Sequence, residues 1–155
     1  EDKMNKLNID VRKGLYTIEV NDQGDTIVFD TEDIELPFKL NDAYIQVDKA
    51  LKNLKRQEAV IAKKDDAKKH GLVSAKNEET RKLYKKAYAE MRAAMDAFLG
   101  EGGMQKIFGN RNYPDMFDDL FTALKPHFEA MGISAKAAAD RVAEKYADGD
   151  EDVME

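Results

Sequence analysis

Two stretches of the chain carry apolar residues at intervals of three and four, the spacing that places them on one side of an α-helix. In the first, LNDAYIQVDKALKNLKRQEAVIAKKDDAKKHG, the stripe consists of Tyr44, Val47, Leu51, Leu54 and Ile61. It is weakened near its end by Glu58, which falls on the same side. The pattern predicts a helix over about 42–70, capped by Asn41 or Asp42 and closed by Gly71.

The second stretch predicts a helix over 77–99, with Tyr84, Ala87, Met91, Ala94 and Phe98 along its apolar side. Only a short loop separates it from the first helix. Two stripes of this kind bury each other when the helices fold back on one another. The sequence therefore predicts an antiparallel helical hairpin.

The N-terminal region favours β-structure. The segments LYTIEV and DTIVFD are rich in β-branched residues and are joined by NDQG, so residues 15–30 are predicted to form a β-hairpin. The apolar residues alternate, which places Tyr16, Ile18 and Val20 on one face of the first strand and Ile27 and Phe29 on one face of the second. The segment DIELPFKL suggests a third extended piece, because the residue before Pro37 is biased away from helix.

Shorter helices are predicted after the helical hairpin, over 103–108, 114–131 and 134–147. Pro126 is expected to kink the second of these or to start a new turn. The predicted fold class is α+β, mainly α, with a β-hairpin, a helical hairpin and two to three further helices. A chain of 155 residues suits a single globular domain, here 15–147, with a flexible segment 1–14 and a disordered acidic tail 148–155.

The stretch FLGEGGMQKIFGNRN breaks the chain twice with glycines. It lacks the Gly-Lys-Ser/Thr of a phosphate-binding loop, and it follows a helix rather than the strand that a dinucleotide fingerprint requires. We interpret it as a corner, with a helix cap and one apolar turn, in preference to a ligand-binding loop.

Charge is unevenly distributed along the chain. Residues 49–92 contain 14 basic and 6 acidic residues, a net of +8, whereas 1–48 and 93–155 carry −7 each. Two interpretations stay open for the basic helical hairpin: a solvated outer surface, or a docking face for nucleic acid or another anionic partner. The basic residues placed away from the apolar stripes are Lys49, Lys52, Arg56, Lys63, Lys82, Lys85 and Lys86.

The sequence gives no support for catalysis. There is no cysteine, and the two histidines, His70 and His127, have no serine or acid partner in a catalytic pattern. The acids Asp115, Asp118 and Asp119 are explained by the positive end of a helix rather than by a metal. We predict no catalytic residue, metal or cofactor, and no enzyme activity. The start EDKMNKLNIDVRKG lacks the apolar core of a signal peptide, and no apolar run is long enough to cross a membrane.

The order of these elements resembles the tail assembly chaperones of long-tailed bacteriophages and prophages, most closely those of phages that infect Gram-positive bacteria. The likeness covers about Leu15 to Met131 and is strongest in FLGEGGMQKIFGNRN and MFDDLFTALKPHFEAM. It implies a non-enzymatic protein that binds the tape measure protein, helps recruit tail tube subunits and acts in the host cytoplasm without remaining in the virion. Self-association is also expected, because coating a long polymer requires many copies.

A chaperone of this kind needs apolar surface that it can offer to a partner. The candidates lie beside the glycine corner: Met104, Ile107, Phe108, Tyr113, Met116 and Phe117. Each of them is also a candidate for the core, since apolar residues at helical spacing are generally buried. A nucleic-acid or anionic-ligand adaptor that uses residues 49–92 is the alternative function, although nucleic acid is disfavoured because the acidic flanks would repel phosphate.

Overall fold

The computed structural model describes residues 4–65 and 69–132. An antiparallel hairpin of β1 (Leu15–Glu19) and β2 (Thr26–Asp30) opens the fold, as predicted. Its register pairs Tyr16 with Phe29 and Ile18 with Ile27. Ile27 and Phe29 are buried and their partners partly so, which gives the sheet one apolar face against the helices.

Helix α1 (Leu36–Ala62) begins and ends earlier than the sequence predicted. The expected third extended segment at DIELPFKL is wrong, because Pro37 occupies the first turn of α1, where its missing N–H leaves no hydrogen bond unmade. Burial of Leu36 and Leu40 holds this early turn against the core. The two predicted caps, Asn41 and Asp42, instead lie inside the helix, and Asn41 is buried.

The predicted continuation of α1 to residue 70 is also wrong. Lys69–His70 (β3) and Val73–Ser74 (β4) form a two-residue antiparallel pair. Gly71, with φ 67°, lies in the turn between them rather than capping α1, because its positive φ permits the tight reversal.

Helix α2 (Ala75–Leu99) runs back along α1 and completes the predicted helical hairpin. Its N-cap is Ser74, whose Oγ accepts a hydrogen bond from the Asn77 backbone N–H at 3.1 Å. The short α3 (Gly103–Phe108) matches its predicted range. Helix α4 (Met116–Ala130) follows and continues through Pro126. The predicted helix 134–147 and the acidic tail 148–155 lie outside the described residues.

One cluster of buried side chains joins β2 and all four helices. At its centre Phe98 of α2 contacts Phe29 of β2, with ring centroids 5.0 Å apart, and Phe128 of α4, at 5.9 Å. The methionines Met91 and Met95 are fully buried beside it. Residues 4–10 lie outside this cluster, in no regular element, and are exposed.

Candidate protein-interaction surface

The glycine corner follows from backbone and packing requirements. Gly100 and Gly102 have φ 99° and 73°, conformations that side chains with a Cβ rarely adopt. At Gly103 the constraint is space, because a Cβ there would lie 2.6 Å from the Cβ of Leu99. These glycines allow α3 to turn closely against the end of α2, which agrees with the corner interpretation.

Arg92, about two turns before the end of α2, binds the loop on the far side of this corner. Its Nε donates to Asn112 Oδ1 at 2.7 Å, and one Nη donates to the carbonyl oxygens of Gly109 at 2.9 Å and Arg111 at 2.7 Å. The planar guanidinium can satisfy all three acceptors at once. The loop after α3 is therefore fixed to α2 by a single side chain.

Helix α3 is also fixed at both of its ends. The Asp96 carboxylate accepts a hydrogen bond from the Met104 backbone N–H at 2.8 Å. At the other end, Lys106 Nζ donates to the Thr26 carbonyl at 3.1 Å, and Asn21 Nδ2 donates to the Lys106 carbonyl at 2.9 Å. The corner thus connects α2 to the β-hairpin.

The six apolar candidates beside the corner divide into two groups. Met104, Met116 and Phe117 expose 1%, 0% and 2% of their surface and belong to the core. In this conformation they have no surface to offer a partner. Ile107 and Phe108, together with Tyr113, are only partly buried and remain accessible.

The accessible group forms what we call the aromatic–arginine patch: Ile107, Phe108, Arg111 and Tyr113. The Phe108 and Tyr113 rings meet edge to face with centroids 5.9 Å apart, and the Arg111 guanidinium lies 4.9 Å from the Tyr113 centroid. Tyr113 Oη donates to Asp119 at 2.9 Å. Partial burial and this hydrogen bond raise the pKa of Tyr113. The patch is rigid, aromatic and cationic, a composition typical of binding hot spots.

All seven basic residues predicted on the outer surface of the helical hairpin are exposed: Lys49, Lys52, Arg56, Lys63, Lys82, Lys85 and Lys86. The structure brings two of them, Lys49 and Arg56, to the same cavity, which we call the groove. Lys52 instead forms an ion pair with Asp48 at 2.9 Å, and the other four do not line the groove.

The groove has a volume of about 350 Å³. Its lining consists of Gln46, Lys49, Ala50, Asn53 and Arg56 of α1 and Glu90 of α2. The five α1 residues follow one another at spacings of three, one, three and three, so they form one ridge of the helix. Only the packing of α2 beside this ridge brings Glu90 to the same cavity.

The acidic flanks contribute one acid, Asp48, to the ion pairs of the basic segment 49–92 in the described residues. Within residues 4–65 and 69–132, the ion pairs of segment 49–92 join Lys52 to the adjacent Asp48, Lys64 to Glu79, and Arg81 to Glu78. No acid of the β-hairpin or of α4 pairs with this segment in the described residues.

Glu58, predicted to weaken the apolar stripe, is half-buried between α1 and α2. Its hydrogen bond is the main cause that raises the pKa of Tyr84. Burial is the main cause that raises the pKa of Tyr88, and Glu58 adds to it. Tyr88 packs against Phe117 with ring centroids 6.1 Å apart. Tyr88 therefore belongs to the helical interface, whereas Tyr84 lies beside it and stays 39% exposed.

Sequence reasoning missed several of the side chains that shape these surfaces. Arg92 carries no signal that separates it from the other basic residues of α2, and Glu90 gives no indication that it faces α1. His127 does have a partner, since its Nδ1 lies 2.9 Å from Tyr16 Oη. This pair connects β1 to α4, and a separation of 111 residues hides it from any local pattern.

Within the described residues, no group of three or more His, Cys, Asp or Glu side chains is arranged to hold a metal ion. The same part of the chain has no helix both long and apolar enough to cross a membrane. Comparison with protein-family models, with curated proteins and with solved structures found no match to this chain.

Proposed function

We propose that this protein is a non-enzymatic assembly chaperone of the phage-tail type, which binds the tape measure protein and helps recruit tail tube subunits. Under this proposal it acts in the cytoplasm of the bacterial host and does not remain in the mature virion. The family resemblance supplies the identity of the partners. The aromatic–arginine patch is the structural observation that carries the binding role.

The aromatic–arginine patch is the surface beside the glycine corner that stays accessible after the core is formed. The stretch that most resembles the family places Met104, Met116 and Phe117 inside the molecule. Phe108 and Tyr113 stay at the surface, and their rings are fixed against each other. Rigid aromatic side chains lose little conformational entropy when a partner covers them, so they are efficient contact residues.

Co-expression with a tape measure protein tests the proposal. The wild-type chain should increase the soluble fraction of that partner, and a Phe108→Ala/Tyr113→Ala variant should lose most of the increase. Val60→Ala, which alters an apolar residue 57% exposed on α1, is the matched control and should behave as wild type. Circular dichroism establishes that each variant is folded. A partner whose solubility does not respond to the wild-type chain would contradict the proposal.

The exposed groove favours a second candidate, an adaptor for nucleic acid or another anionic ligand, because Lys49 and Arg56 line the same cavity. Phosphate binding would weaken steeply as salt rises, since it releases counterions. A mobility-shift assay with single- and double-stranded DNA and RNA at low salt tests this candidate. A shift that disappears in a Lys49→Glu/Arg56→Glu variant would favour it over the chaperone role.

A further inference from the structure

We infer that the groove binds a second copy of this chain, through the acidic loop 30–35, which runs from the last residue of β2 to the residue before α1. The association joins two different surfaces, so it runs head to tail. It does not depend on the role in tail assembly. The isolated protein is sufficient to test it, and its failure would leave the proposed function standing.

The acidic loop has the chemistry that the groove lacks. Its residues are Asp30, Thr31, Glu32, Asp33, Ile34 and Glu35. Ile34 exposes 82% of its surface. Two of its acids are engaged locally: Asp30 accepts from the Glu32 backbone N–H, and Asp33 pairs with Lys39 at 3.3 Å. The side chains of Glu32 and Glu35 have no partner among residues 4–65 and 69–132, and both are exposed.

The groove offers the matching cations. Lys49 and Arg56 are exposed and form no ion pair within the described part of the chain. Ala50 lies between them on the same ridge and leaves room for an apolar side chain. The arrangement fits a loop that presents Ile34 between two carboxylates.

The loop cannot reach the groove of its own molecule. The loop ends at Glu35, directly before α1 begins at Leu36, and the groove lies around Lys49 farther along the same helix. At 1.5 Å per residue, this separation is about 20 Å along a rigid rod. Contact is therefore available only between two molecules.

A phosphate backbone fits the groove less well than a protein loop does. Among the described residues, no aromatic side chain lines the groove on which a base could stack. A row of copies joined in this way leaves a groove free at one end and a loop free at the other, so it extends further or closes into a ring. Because exposed ion pairs are individually weak, it should depend on both protein concentration and salt.

Sedimentation velocity of the full chain tests this inference through a charge swap. A groove variant, Lys49→Glu/Arg56→Glu, has an acidic groove and an acidic loop, whereas a loop variant, Glu32→Lys/Glu35→Lys, has both basic. Each alone should sediment as a monomer at every concentration. A one-to-one mixture should regain association, because the groove of each variant then meets the opposite charge on the other's loop.

The wild-type chain should associate at about 0.02 M salt and dissociate at about 0.5 M salt, where the screening length falls to a few ångströms. The control Lys55→Glu/Lys85→Glu changes two basic residues of the same helical hairpin outside the groove and should associate as wild type. Thermal melts establish that all variants are folded. Three outcomes would overturn the inference. The wild-type chain stays monomeric at low salt, the groove variant and the loop variant each still associate alone, or the mixture of the two variants stays monomeric.

Discussion

Tyr16 Oη lies 2.9 Å from His127 Nδ1, and the two rings meet edge to face with centroids 5.8 Å apart. This contact joins the first strand to the last described helix across 111 residues of sequence. It is a tertiary bond between the two ends of the described fold, so it should contribute to global stability rather than to the stability of either element alone.

Replacing Tyr16 with Phe removes this hydrogen bond and keeps the ring. We expect the free energy of unfolding to fall by about 1 kcal/mol, the usual net value of a hydrogen bond in a folded protein. Urea denaturation followed by circular dichroism measures it. Tyr44→Phe is the matched control, because the Tyr44 hydroxyl has no partner in the described structure, and it should change stability little. Equal losses in the two variants would contradict the assigned role.

Arg92→Lys should destabilise the protein although it preserves the charge. An ammonium group cannot reproduce the planar set of donors that binds Asn112 and the carbonyls of Gly109 and Arg111. We expect a loss of about 2 kcal/mol in the free energy of unfolding. Arg81→Lys alters an exposed arginine of the same helix, 3.8 Å from Glu78, and should cost less than about 0.5 kcal/mol. A loss at Arg92 no greater than that at Arg81 would show that the corner does not depend on the guanidinium.

Asn41→Leu should leave stability unchanged or raise it by about 1 kcal/mol. Asn41 exposes 6% of its surface, and its Oδ1 is buried without a hydrogen-bond partner, so an apolar side chain of similar size removes a desolvation cost. Ser74→Ala provides the contrast, because it removes the cap of α2 and should lower stability by about 1 kcal/mol. Chemical denaturation of both variants measures the sign of each change in the free energy of unfolding. Destabilisation by Asn41→Leu would indicate a polar role for the amide.

Tyr88 should make stability depend on pH on the alkaline side. Burial raises its pKa above the value of about 10 for an unfolded tyrosine. The folded form therefore favours the neutral hydroxyl, and the resulting stability is complete below about pH 10 and is lost as pH rises through the folded pKa. Unfolding free energies measured at about pH 8 and about pH 11 should differ less in Tyr88→Phe than in the wild type. An unchanged difference would contradict this assignment.

Local patterns were sufficient to predict the elements whose cause is local. The β-hairpin follows from β-branched alternation around NDQG, and its inward residues Ile27 and Phe29 are buried as the period of two requires. The range 103–108 of α3 is bounded by glycines. The side of α2 that packs against α1 is the side that carries its apolar stripe. In these segments the backbone preference and the burial pattern agree.

The start of α1 shows where local patterns fail. The bias of the residue before Pro37 indicated extended chain, yet burial of Leu36 and Leu40 in the core outweighs that bias and draws the first turn into helix. The same limit applies to the candidate binding residues beside the glycine corner. Sequence alone could not divide the corner residues into the buried Met104 and the accessible Phe108, because the division depends on which side faces α2 and the β-hairpin.

The sequence by itself determined the fold class, the helical hairpin and the segregation of charge, since periodicity and composition are properties of the chain. Only the tertiary structure decided that Arg92 fixes the corner, that Glu90 faces Lys49 and Arg56 across the groove, and that Tyr16 meets His127. The physical reason is distance along the chain. Contacts between residues far apart in sequence are set by how packed elements fit together, and no local preference of the backbone encodes that fit.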